Sequence, residues 1–135
     1  MDPILIAKLQ LEKRLRDSFP TLQIALEGVA FTAPEAMHLY CNFNIFDPDD
    51  STLGSRYYRE NLEFVVYVSA PKNQGTGPAL TQAGLIRQAF PRGLALDVDN
   101  TRVHLFCTPK ISGTITAGSR VVIPVTIPVT VEVLD

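Results

Sequence analysis

The sequence predicts an α+β domain of two layers. A mainly antiparallel or mixed sheet of about four to six strands carries an N-terminal helix and a central helix on one face. Three stretches point there. Residues 58–90 read as a long strand, a polar turn and a helix. Residues 37–46 alternate apolar and polar side chains. Residues 121–133 alternate again, with a branched aliphatic at every odd position.

In the first stretch Leu62, Phe64, Val66 and Val68 share one face because successive strand side chains alternate. Arg59, Asn61 and Glu63 point the other way, so the first half is wet on one side. From Phe64 to Val68 both faces are apolar, which argues for cover on both. Pro71 ends the ladder because it has no N–H. Gly75 and Gly77 suit a tight turn, and Pro78 fits the start of a helix, where a missing N–H costs nothing. Ala79, Leu80, Ala83, Ile86, Ala89 and Phe90 then recur at helical spacing and make one apolar stripe against the sheet.

At the start of the chain Asp2 caps a helix that has Pro3 at its first position and runs to about Asp17. Ile4, Ala7, Leu11 and Leu15 form a stripe, while Leu5, Ile6 and Leu9 spread apolar surface around the first two turns. Such a wide belt needs cover on two sides, from its own domain or from a neighbouring subunit. Gln23–Leu26 and Val29–Phe31 are short strand candidates. In Met37–Phe46, Met37, Leu39, Cys41, Phe43 and Ile45 form the apolar face, and His38 falls on the polar face as a surface histidine. The loop Asp47–Arg56 is longer than a hairpin needs and reads as a solvated tip or a docking arm.

Leu94–Asp97, the Asp99-Asn100 turn and Arg102–Cys107 read as a strand pair, followed by a connecting segment around Ile115. Cys41 and Cys107 both fall on apolar strand faces and read as small buried hydrophobes rather than a disulfide or redox pair. In the closing strand Pro124 and Pro128 both occupy even positions. Their missing N–H groups therefore belong to one side, which places the strand at the sheet margin, at least over residues 124–128.

The totals fit one domain over residues 1–135, large enough to bury a core without staples. Twelve basic and fourteen acidic residues leave a net charge of −2, which builds in no broad attraction for nucleic acid. The N-terminus lacks a basic region followed by an apolar core, and no apolar run approaches bilayer length. The expectation is a protein with no membrane segment, made in the cytoplasm.

Catalytic and cofactor templates fail one after another. There is no nucleophile elbow, no HExxH and no Walker loop. Asp47, Asp49 and Asp50 suggest calcium, but Thr52 stands where an EF-hand needs glycine and Tyr58 where it needs glutamate. No lysine follows Gly75-Thr76-Gly77 to hold a phosphate, and His104 has no carboxylate placed beside it by the sequence. No catalytic, metal or cofactor residue is assigned, and no cofactor is expected.

The order of parts resembles the tail terminator family of long-tailed bacteriophages. The matching segments are the capped N-terminal helix, Glu27–Pro34 leading to the first long strand, and a Leu53-Gly54 arm. Val66–Gly77 then leads into the second helix, and Val122–Val129 gives the closing strand with its two prolines. The resemblance implies a structural protein of the virion tail that forms a homo-oligomeric, hexameric ring. The ring caps the tail tube at its head-proximal end, stops polymerisation and joins the head through a connector protein. Its partners are then itself, the tube protein and the connector, with DNA passing through unbound. A head-completion or neck protein of similar build is the alternative, and a monomeric ligand-binding module or enzyme is the more distant one. Ring contacts would come from Ile4, Leu5, Ile6 and Leu9 on the first helix. Asp47, Asp49, Asp50, Leu53 and Arg56 on the arm would add to them, with a free strand edge at Pro124 and Pro128.

Overall fold

The computed structural model describes residues 2–50 and 57–133. Helix α1 (Pro3–Ser18) starts where the Asp2 carboxylate accepts a hydrogen bond from the Ile4 N–H at 2.8 Å. Strands β1 (Ile24–Ala25), β2 (His38–Ile45) and β3 (Tyr58–Pro71) follow, then a 3₁₀ turn over Lys72–Gln74 and helix α2 (Gly77–Ala89). Strands β4 (Ala95–Val98), β5 (Thr101–His104), β6 (Lys110–Ile111), β7 (Ile115–Ala117) and β8 (Arg120–Val133) complete the order. The turn into α2 relies on Gly75 at φ 74°, a left-handed conformation that a side chain would strain.

All eight strands join one sheet with the path β1-β2-β3-β8-β5-β4, and β6 and β7 also pair with β8. Only β1 with β2 is parallel among these pairs. The α+β, mixed-sheet expectation holds, with more strands than expected. β1 falls within the expected Gln23–Leu26 candidate, whereas the additions β6 and β7 are two and three residues long, too short for an alternation to register.

The centre is the antiparallel pair β3–β8, in register from Tyr58 opposite Val133 to Pro71 opposite Arg120. Leu62, Phe64, Val66, Val68 and Ala70 of β3 face inward beside the odd-numbered Val121–Val131 row of β8, and all are buried. Ala7, Leu11 and Leu15 of α1 and Ala79, Ala83 and Ile86 of α2 cover this face. Phe64 stacks on Phe43 at 4.7 Å and meets Phe90 edge-on at 5.8 Å, which joins β2, β3 and the end of α2 in one aromatic cluster. The Arg14 guanidinium lies over the Phe90 ring and donates to the Ala89 carbonyl at 2.6 Å, so a cation on α1 sits at the negative end of the α2 dipole.

Several expectations change. The closing strand is interior: β8 lies between β3 and the series β7, β6, β5. The parity argument itself holds, because the Pro124 carbonyl accepts from the Ser112 N–H at 2.9 Å, on the side away from β3. That side is covered in pieces. β7 pairs with residues 120–122, β6 with 125–126 and β5 with 130–133, so Pro124 and Pro128 fall in the gaps between them. A proline cannot donate, and the partner strands break where it sits. Among the described residues β8 is therefore not a margin strand, and Pro124 is buried.

His38 is buried at 6% exposure rather than on the surface. The inward stripe of α2 omits Leu80, which is exposed, while Gln82 is buried in its stead. Cys41 is buried, which pushes its thiol up to about 12. Cys107 is exposed, because β5 ends at His104 and the inward alternation stops at Leu105. Val29–Phe31 forms no strand, and Val29 is exposed. On the far face of the sheet Val65 is buried, whereas Tyr67 is half-buried and stacked on Tyr40 at 4.6 Å.

Glu12 is 4% exposed on α1, and its Oε2 atom has no hydrogen-bond partner among the described residues. Burial raises its carboxyl pKa above the usual range, Lys8 and Arg16 oppose the shift, and Glu27 adds to it. The folded chain therefore holds this proton more tightly than the unfolded chain. The resulting contribution to stability is full below the ordinary glutamate pKa and is lost as pH rises through the folded one.

Two outcomes follow from this packing. Phe64→Ala removes a fully buried ring from the central cluster and should cost about 3–5 kcal/mol in urea unfolding; a cost near zero would show the inward face to be misassigned. Glu12→Gln should melt higher than wild type at pH 7, with the gain vanishing as pH falls to the ordinary glutamate pKa. An equal or lower melting temperature at pH 7 would contradict the account of Glu12.

Candidate functional site

An open groove of about 970 Å³ lies at the end of the sheet, between residues 33–36, the end of β3 and the β7–β8 turn. Arg120 occupies its wall. Its Nε donates to the Ser69 hydroxyl at 3.0 Å, and its terminal nitrogens donate to the carbonyls of Glu35, Ala36 and Ser69. One of them also lies 3.2 Å from Nδ1 of His38, and the same Nδ1 is 3.2 Å from the Ala36 carbonyl. A guanidinium that contacts both the hydroxyl and the imidazole opposes the proton transfer a nucleophilic serine would require. The arrangement is a clamp that fastens the 33–36 segment to the sheet, using the fixed fork of an arginine.

On the face of the sheet away from the helices, a row of charges crosses four strands. Arg59 of β3, Glu132 of β8, Arg102 of β5 and Asp97 of β4 are register neighbours in turn. Arg102 grips Asp97 at 2.7 and 3.3 Å and holds that carboxyl below its usual range, while Glu132 is 3.9 Å from Arg59. Glu132 is also 3.5 Å from Nε2 of His104, a carboxylate partner for that histidine which the sequence did not place. The partly exposed pairs add little stability, but their alternation of sign opposes a slip in register. Among the described residues no group of three or more His, Cys, Asp or Glu side chains is placed to hold a metal.

The surface offers more than the groove does. On α1, Ile6 is buried in its own domain and Ile4 is half-buried against the core, but Leu5 and Leu9 are 43% and 44% exposed. The apolar belt is thus covered on one side and open on the other. Lys13 and Arg16 continue the open side at helical spacing.

The base of the arm is pinned to β3. The Asp49 N–H and carbonyl exchange hydrogen bonds with Arg59 at 2.8 and 3.0 Å, the Phe46 N–H donates to Asn61, and the Asn61 amide donates to the Asp47 carbonyl. Asp47, Asp49 and Asp50 are exposed. Leu53 and Arg56 lie outside the described residues.

Beside the arm base is a trough of about 210 Å³ whose lining includes Phe46, Phe106, Pro128, Cys107 and Glu63. Phe46 and Phe106 are half exposed, and Phe106 stacks on His104 at 4.9 Å. The trough and the arm base are contiguous through Asn61, whereas Leu5 and Leu9 lie with α1 on the opposite side of the sheet. Of the residues expected at the surface, the structure brings Pro128 and the first arm residues together through Asn61. It places Asp50 near Tyr58 and Glu60, where the Asp2 cap of α1 also lies, while Leu5 and Leu9 stay apart from the trough. Phe46 and Phe106 were missed. Continuing the Arg102, His104 alternation by one step places Phe106 on the outer face, which is the signal that was there to find. Arg120 was missed as well, and nothing local marks it, since its partners lie 51 and more residues away.

Comparison with protein families matches residues 6–128 to the family described as phage tail terminator protein. Among solved structures, one superposes with a TM-score of 0.76, covers 100% of this chain and 97% of its own, and is 23% identical, a likeness that shows the fold. No curated protein matches significantly. With the family match spanning nearly the whole chain and no competing chemistry in the groove, the protein belongs to the phage tail terminator family, a family of structural tail proteins rather than enzymes.

Proposed function

We propose that this chain closes into a ring on the head-proximal end of the finished tail tube, ends the tube's polymerisation and presents the surface that joins the head. The observation that carries the reading is the helix α1. It buries one face in its own core and leaves Leu5 and Leu9 open on the other, next to two basic residues. A buried-on-one-side helix with a second apolar ridge is built to receive a neighbour.

The arm adds a second candidate contact. Its base is fixed to β3 by paired backbone bonds, so Asp47, Asp49 and Asp50 stand at a defined anchor and, with Leu53 and Arg56 later in the sequence, are the residues proposed to meet the tube or an adjacent subunit. Contacts of the heterologous kind consume both of their surfaces when the ring closes, and that is how a cap stops growing. The partners in this reading are further copies of the chain in a hexamer, the tube protein and the head connector. A net charge of −2 favours passage of DNA through the hole, because dense basic contacts to phosphate would retain it. The chain acts in the virion after assembly in the host cytoplasm, and no cofactor enters the mechanism.

Purified tail tubes lacking this protein, incubated with it and imaged by negative stain, should gain a ring of density at one end only and stop elongating when free tube protein is added. Bare tube ends, or tubes that keep growing at the same rate, would overturn the reading.

A further inference from the structure

Resting on the ring reading, we infer that the open ridge of α1 in one copy seats in the Phe46–Phe106 trough of the next. Both surfaces are apolar at the centre; the ridge runs on into the basic Lys13 and Arg16, with Asp17 3.8 Å from Lys13, and the trough carries the acidic Glu63. The ridge consists of Leu5 and Leu9 followed by exposed Lys13 and Arg16, on a helix whose basic residues outnumber its acidic ones. The lining of the trough includes Phe46, Phe106 and Glu63, and Asp47 stands at the adjoining arm base. No lysine or arginine lines it.

Position makes the pairing intermolecular. The inward faces of α1 and of Leu105 lie in the core, on one side of the sheet, so α1 sits on that side. Pro128 belongs to the opposite face by the alternation along β8, and Phe106, past the end of β5, stacks there on His104. A chain cannot reach its own trough with its own ridge through its sheet. Two different patches on opposite sides, complementary to each other, give head-to-tail contacts, and such contacts close into rings or run on as filaments. The apolar centres supply most of the attraction, and the charged groups set orientation and weaken with salt.

Cys107 provides a direct test, since it is exposed at the trough while Cys41 is buried. Leu9→Cys, an exposed position that leaves the core intact, places a thiol on the ridge. Mild oxidation with glutathione disulfide should then give a non-reducing ladder from dimer upward, absent in Leu9→Cys/Cys107→Ser and in the control Gln88→Cys, which sits on the exposed side of α2. A Lys13→Glu/Arg16→Glu variant should weaken the ladder at least tenfold at low salt, with Asp47→Lys/Glu63→Lys restoring part of it. If the wild type caps tubes but Leu9→Cys gives no more cross-link than Gln88→Cys, the pairing is wrong and the ring reading stands. If neither cross-links nor caps form at any concentration, both fall.

Discussion

Fourteen residues of β3 lie antiparallel to fourteen of β8, and every other feature hangs on that pairing. A slip of one residue would turn the whole row of inward valines and isoleucines outward, so burial of one face fixes the register strongly. With the register fixed, Phe64 meets Phe43 and Phe90, α1 and α2 have an apolar floor, and Arg59 comes level with Glu132. The helices cover only that floor. The opposite face stays open over its lower half, and there the charge row, the arm base and the trough are found.

The prolines of β8 shape the other flank. Because Pro124 and Pro128 offer no N–H on the side away from β3, no single long strand can pair there. The chain covers that flank with three short strands and leaves it between them. After His104 it departs from β8 and does not rejoin until Lys110, and this excursion is what carries Phe106 and Cys107 to the trough that Pro128 also lines. The backbone defect and the surface feature share one cause.

Much of this was legible in the sequence, and the limits have physical reasons. Long periodic elements declared themselves: α1, β2, β3, α2 and the β4–β5 pair stand where alternation, helical spacing and turn residues put them. The rank of β8 in the sheet was not legible, because a missing donor shows which bond is absent and not whether a broken partner lies alongside. His38 and Arg120 are 82 residues apart, and their contact follows only from the folded ends of β2 and β8. Cys107 was misread because a strand pattern continues in the letters after the ladder has stopped. Of the surface residues, Leu5 and Leu9 could be read as surplus apolar area on a helix already supplied with a core stripe. The matching phenylalanines needed the fold, since Phe46 and Phe106 approach one another only across β3 and β8.

The chain therefore presents a rigid sheet with an apolar ridge on one side and an apolar trough on the other, their spacing set by the β3–β8 pair. If the proposed contact forms, such a body would assemble by geometry, and the rotation between successive contacts would decide whether the result closes. Sedimentation velocity on the wild-type chain across a wide concentration range measures this most directly. The account predicts monomer giving way to a single closed species of one mass, with little in between. Monomer alone at every concentration, or an open-ended series of ever larger species, would contradict it.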